Sequence, residues 1–158
     1  MNVAPLSKIK KELELYHPSV LQQLLVRLMK YKKENKELIN YLIYMADDEP
    51  QFLKEIKLEM DAEFAEIKKS HWFAANKRIQ KTVRTNSKYI RFSADERTET
   101  EIRLYFCKKM RELPQTLLKQ RVIAAIFIRQ LDYLRKSISQ LHEDLQYDYN
   151  AELEKIMK

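Results

Sequence analysis

The side chains that could do chemistry are few in this sequence, and their spacing is wrong for most of it. The three histidines, His17, His71 and His142, are too far apart to form a local ligand motif. His142-Glu143 begins like a zinc-binding helix, but Gln146 stands where the second histidine would have to be. The one cysteine, Cys107, has no histidine near it in sequence to activate it as a nucleophile. In an amphipathic stretch it reads as a small buried hydrophobe. Asp47-Asp48-Glu49 gathers three carboxylates that could hold a cation. With no histidine nearby and Pro50 next, they read better as the start of a helix, whose N-terminal dipole favours negative charge. The chain has no glycine at all, which removes the phosphate-binding P-loop, the dinucleotide fingerprint and the nucleophile elbow together. The sequence therefore gives no catalytic, cofactor-binding or metal-binding set, and the expectation is a protein that is not an enzyme and carries no cofactor.

The one chemical concentration is positive charge. Lys68 to Arg91 holds eight Lys/Arg and no acid, within a chain of 30 basic and 23 acidic residues. On a helix, Lys77, Lys81, Arg84, Lys88 and Arg91 recur at steps of four and three and form one stripe, with Arg78 beside it. Trp72, Ile79, Val83 and Ile90 fall on the other side, with Asn76 and Asn86 filling two gaps in that row, and Thr85–Ser87 is a place where such a helix could break. The stripe could neutralise phosphates, and Trp72, Phe73 and Tyr89 could stack on bases. It could equally pair with acids. The preceding stretch places Glu55, Glu59, Asp61, Glu63 and Glu66 opposite its apolar stripe. An antiparallel hairpin of the two would neutralise part of the basic row internally.

The elements that must position these groups are all helical by pattern. Absence of glycine disfavours tight hairpin turns. Apolar residues recur at helical spacing in every segment: Ile9, Leu13 and Tyr16; then Leu21, Leu24, Leu25 and Leu28; then Leu38, Tyr41, Leu42 and Met45, with Ile39 and Ile43 giving this third helix a second apolar side and a central position. Phe52, Leu53, Ile56, Met60, Phe64 and Ile67 follow in a helix from Pro50 to about Lys69. Ser93 with Glu96 has capping-box spacing and starts a helix carrying Ile102, Phe106, Met110 and Leu113. After Pro114 one long helix is expected to about Leu145. Its middle, Val122 to Ile128, is apolar all round and expected to be buried on every side. Its second half carries Leu131, Leu134, Ile138, Leu141 and Leu145, a seam for one partner helix.

The expected fold is all-α, with seven or so amphipathic helices forming a bundle or an irregular stack of helical hairpins. A single domain spanning 1–158 is expected, with 146–158 as a short C-terminal extension. No secretory leader is read before Pro5, and the longest apolar run, Val122–Ile128, is far short of the ~20 residues of a membrane span. With one cysteine, that points to the cytoplasm.

Three segments, LSKIKKELELY (6–16), KYKKENKELINYL (30–42) and KYIRFSADERTETEIRLYFCKKM (88–110), resemble parts of a family of bacterial helical proteins without assigned function. The resemblance is spread over the first two thirds of the chain and rests on helix-forming residues. It implies an all-helical fold and no particular activity.

Two function classes follow. The first is a helical interaction or scaffold protein with a protein partner, supported by the helix-only composition, the C-terminal leucine seam and tyrosines expected to be exposed, such as Tyr147 and Tyr149. The second is a nucleic-acid-binding protein using 68–91. Binding at a membrane surface ranks behind both, because the face it would insert is the one the core needs.

Overall fold

A computed structural model describes residues 2–158. Of the chain, 84% is helical, in nine helices with no strand among the described residues. The helices are α1 (Leu6–Leu13), α2 (Pro18–Tyr31), α3 (Lys33–Tyr44), α4 (Glu49–Lys69), α5 (Trp72–Ser93), α6 (Glu96–Arg111), α7 (Gln115–Leu118), α8 (Arg121–Gln140) and α9 (Glu143–Met157). The all-α expectation holds. The chain divides into two compact units, Met1–Tyr44 and Met45–Lys158.

The N-terminal unit centres on the α2–α3 hairpin. Pro18 opens α2, where its missing N–H is harmless. Asn35 does not cap α3, which already begins at Lys33; its side-chain amide instead donates to the Leu28 carbonyl across the turn (2.9 Å). The core assigned here by periodicity is not a core. α1 and α2 bury no residue and α3 buries only Tyr41. Leu24, Leu25 and Leu28 are exposed, and so are Leu42 (53%) and Ile43 (63%). The expected central place of α3 is thus corrected.

The C-terminal unit is a stack of hairpins. α4 pairs with α5, and α6 with α8, while α9 closes the row. α4, α6 and α9 neighbour one another in order, as do α5 and α8. The three first-row helices begin at the evenly spaced Glu49, Glu96 and Glu143. Asp48 and Asp95 cap the first two, accepting from the backbone N–H of Gln51 (3.1 Å) and Thr98 (2.7 Å). So Asp95, not Ser93, caps α6, and Ser93 closes α5 with its hydroxyl donating to Glu49 (3.2 Å). α6 is the centre of the unit. Its Ile102, Phe106, Cys107 and Met110 are fully enclosed, with the Phe106 ring edge-on to Phe64 at 5.5 Å.

Two further expectations change. α5 runs unbroken through Thr85–Ser87, because Thr82 and Ser87 satisfy their hydroxyls on the carbonyls one turn back, Arg78 (3.0 Å) and Val83 (2.8 Å). The long last helix divides in three, and its apolar middle is buried on one side only: Ile123 and Ile126 are inside, while Val122 and Ile128 are exposed. Residues 146–158 fold back on the unit. They belong to α9, which packs on α6 and α8 with Tyr149, Leu153 and Ile156 buried.

Glycine's absence leaves one visible cost. α5 ends in the left-handed conformation at Ala94 (φ 52°, ψ 25°), whose N–H bonds the Ile90 carbonyl. An L-residue with a Cβ is disfavoured there by roughly 1–2 kcal/mol, part of which a glycine gives back in unfolded-state entropy. Ala94→Gly is therefore expected to raise stability by about 0.5–1 kcal/mol in urea titration; a loss of stability would show that the α5 end is not held this way.

Candidate functional site

All three histidines have the same structural position: His17, His71 and His142 are the N-cap residues of α2, α5 and α9. The Nδ1 of His17 accepts from the Ser19 N–H (3.3 Å), and that of His142 from the Asp144 N–H (3.4 Å). Cys107 is sealed in the core of α6, and burial pushes its thiol up to about 12, so it has neither access nor thiolate character. Among the described residues no group of three His, Cys, Asp or Glu could hold a metal ion. No helix there is long and apolar enough to cross a membrane.

The basic row of α5 is largely engaged by the fold. α4 and α5 do form an antiparallel hairpin. Across it Glu63 accepts from Arg78 (3.0 Å) and Lys81 (3.1 Å). Burial acts to raise the Glu63 carboxyl, but the hydrogen bonds from Lys81 and Arg78 outweigh it and hold the group below the ordinary carboxylate range. Lys77 lies over the Phe73 ring (4.6 Å), and Lys88 over those of Tyr89 (4.9 Å) and Phe92 (5.9 Å). Arg91 is also engaged. Tyr89, offered by the sequence as a stacking platform, sits edge-on against Phe52 and donates to Glu59 (2.7 Å). Arg84 alone of the row has no ion-paired, hydrogen-bonded or aromatic-ring partner among the described residues.

The other acids of α4 turn elsewhere. Asp61 meets α6, accepting from Tyr105 (2.7 Å) and Lys109 (2.6 Å). Lys57 pairs with Glu101 of α6 (2.8 Å), which also accepts from Tyr149 of α9 (2.7 Å). Lys108 of α6 pairs with Glu152 of α9 (2.6 Å). These bonds join the first-row helices to one another. A cleft of about 650 Å³ between α4 and α6 is lined by Lys57, Asp61 and Glu101, whose charges are thus already matched.

The leucine seam is consumed internally. Leu134, Ile138 and Leu141 are buried within the C-terminal unit, and Leu131 and Leu145 partly so. Its partner helices are α6 and α9 of the same chain. The seam also bends: α8 ends at Gln140 and α9 restarts after His142.

Two surfaces remain that the fold does not use. One is the uncovered apolar face of α2 and α3. The other is a second cleft of about 650 Å³, between α5 and α8, lined by Arg84, Arg121 and Arg129 with no acid on its wall. In the sequence Arg121 and Arg129 simply bound the apolar run Val122–Ile128. No known family model, no curated protein and no solved structure matches this chain.

Proposed function

We propose that this protein is a non-enzymatic helical interaction module whose N-terminal unit docks an acidic amphipathic helix of a protein partner. The observation that carries this is the uncovered apolar surface of α2 and α3. Val20, Leu24, Leu25 and Leu28 on α2, and Leu42, Ile43 and Tyr44 on α3, are all exposed. Clustered apolar exposure of this kind marks interaction surfaces. A segment of about 40 residues also rarely sustains a core unaided.

Charge selects the partner. The first 44 residues carry eight Lys/Arg and four Glu. A second copy would bring like charge against like charge, whereas an acidic helix complements it. Shape favours a helix over a lipid surface. Leu42, Ile43 and Tyr44 are consecutive, about 100° apart around α3, and spread over more than half its circumference. A bilayer surface meets one face; packed helices meet several. The capping histidines and the enclosed Cys107 support the non-enzymatic part of the reading.

The test is fluorescence anisotropy with a labelled synthetic helix bearing Leu at i, i+3, i+4 and i+7 and Glu on its flanks. Micromolar binding is expected, weakened at least tenfold in a Leu24→Asp/Leu42→Asp variant of unchanged helical circular dichroism. Equal binding by the variant, preferential binding to phosphatidylserine vesicles, or dimerisation through this face would each overturn the proposal.

A further inference from the structure

We propose that the cleft between α5 and α8 is a binding site for a nucleotide-sized organic phosphate. It is separate from the docking face proposed above and does not depend on it.

The cleft begins in the packing of two helices. Arg121, Ala125 and Arg129 follow one another at steps of four and form a single stripe on α8. The small Ala125 leaves open space between the two guanidinium groups. Across the cleft α5 contributes Arg84, one turn beyond Gln80. The fold matches its other cations with acids or rings in most places, yet here it gathers three arginines around one hollow. None of the three has an ion-paired or hydrogen-bonded partner among the described residues. Like charges lining a shared concavity repel one another, and an anion is what offsets that repulsion.

A second observation is independent of charge. Gln130 lines the same cleft and is only 7% exposed, and its side-chain amide makes no hydrogen bond to any described residue. Among the described residues no buried side-chain polar atom lacks a partner, so the part of Gln130 left open is its amide, at the surface of the cleft. The cleft it borders is where a ligand would supply one. A third is the start of α8, which opens at Arg121 beside the cleft. Its N-cap, Gln120, makes no capping bond and turns its side chain back to the Thr116 carbonyl (3.5 Å). The first-turn amides of this 20-residue helix are therefore uncapped, and its positive end adds to the arginines.

Size and lining set the ligand class. About 650 Å³ is in the range of small-molecule pockets and far more than a bare phosphate fills. Val83, Val122 and Ile126 form an apolar wall. Guanidinium groups bind phosphate oxygens in pairs, so the arginines take the phosphates and the apolar wall takes the organic part.

The experiment is a thermal-shift and calorimetric titration of the full chain with ATP, AMP, pyrophosphate, adenosine and a single-stranded oligonucleotide. ATP is expected to raise the melting temperature and bind in a salt-dependent way, and adenosine to do neither. Arg84→Gln, Arg121→Gln and Arg129→Gln should each weaken ATP at least tenfold with no change in the ligand-free melting temperature. Gln130→Leu should weaken ATP while leaving that temperature equal or higher, the reverse of what a purely structural residue would do. The proposal is overturned if millimolar ATP neither binds nor shifts the melting point, or if the triple arginine variant binds ATP like the parent. Pyrophosphate binding as tight as ATP would remove the organic part. Tighter binding of the oligonucleotide, lost on changing Lys77 and Lys81, would replace the site with a nucleic-acid surface.

Discussion

Phe106→Ala is expected to destabilise the protein by about 3–5 kcal/mol, read from the urea midpoint. Phe106 is 1% exposed on α6, the helix that touches α4, α5, α8 and α9. Its ring fills the space between two rows of helices and meets Phe64 at 5.5 Å. Truncation removes the transfer energy of the ring and leaves a cavity whose walls are held by five helices. Leu42→Ala is the matched contrast. Leu42 lies on an equally regular apolar stripe, but it is more than half exposed. Its loss should cost under about 1 kcal/mol. Periodicity alone assigns both residues to a core. A loss below 1 kcal/mol for Phe106, or above 2 kcal/mol for Leu42, would contradict the burial described above.

The second large effect is expected in acid. Asp61, Glu63 and Glu101 all titrate below their ordinary ranges. At each, burial pushes the carboxyl up, and bonds from a neighbouring helix more than reverse it: Lys109 and Tyr105 at Asp61, Lys81 and Arg78 at Glu63, Lys57 and Tyr149 at Glu101. Hydrogen bonds from Lys108 and Lys155 bring Glu152 down to about 2. In the unfolded chain these groups take up protons near 3.8 for Asp and 4.5 for Glu. The unfolded state therefore binds more protons than the folded one in the interval just below those values. Stability from these pairs is complete above about pH 4.5 and is lost as pH falls through the folded values towards 2. The urea midpoint should be flat from pH 7 to 5 and then drop. Because the pairs join α4, α5, α6 and α9, the loss should be cooperative across the C-terminal unit. Concentrated salt should shrink the part due to the most exposed pairs. A midpoint unchanged between pH 5 and 2.5 would contradict this.

Much of the C-terminal unit is legible in the sequence, for physical reasons that differ by element. Phe52, Ile56, Met60, Phe64 and Ile67 are buried as their spacing requires, and Cys107 is the enclosed small hydrophobe its setting implies. α5 is less legible. Its inner face runs through Ala75, Ile79, Thr82 and Asn86, two of them polar. A hydropathy pattern places Thr82 outside and reads Asn86 only as a gap in the apolar row. Here Thr82 bonds back to its own helix, and Asn86 donates to the Met60 sulfur (3.3 Å). The break at Leu141–His142 has neither proline nor glycine to mark it. The available signal is His142 followed by Glu143-Asp144, a side-chain acceptor and two acids at a helix start.

The N-terminal unit marks the limit of periodicity. A regular apolar stripe says that one face of a helix is apolar, and nothing about whether another helix covers it. Leu24, Leu28 and Leu42 show the same spacing as buried residues and stand in the open. The basic stripe fails in the opposite sense, since the row looks free in sequence and is mostly bound by Glu63 and aromatic rings. The α5–α8 cleft needs the hairpin packing itself, because Arg84 and Arg121 are joined by no local pattern.

Hydrogen–deuterium exchange of the full chain, read by peptide mass spectrometry with and without the acidic amphipathic helix, tests the proposed function most directly. Amides of 18–44 should exchange fast in the free protein, because α2 and α3 bury almost nothing. Those of 52–67 and 102–110, in the buried helices α4 and α6, should be slow throughout. Adding the acidic helix should slow 18–44 and leave 52–67 and 102–110 unchanged. Protection of 18–44 in the free protein equal to that of α6, with no response to the helix, would contradict a docking role for the N-terminal unit.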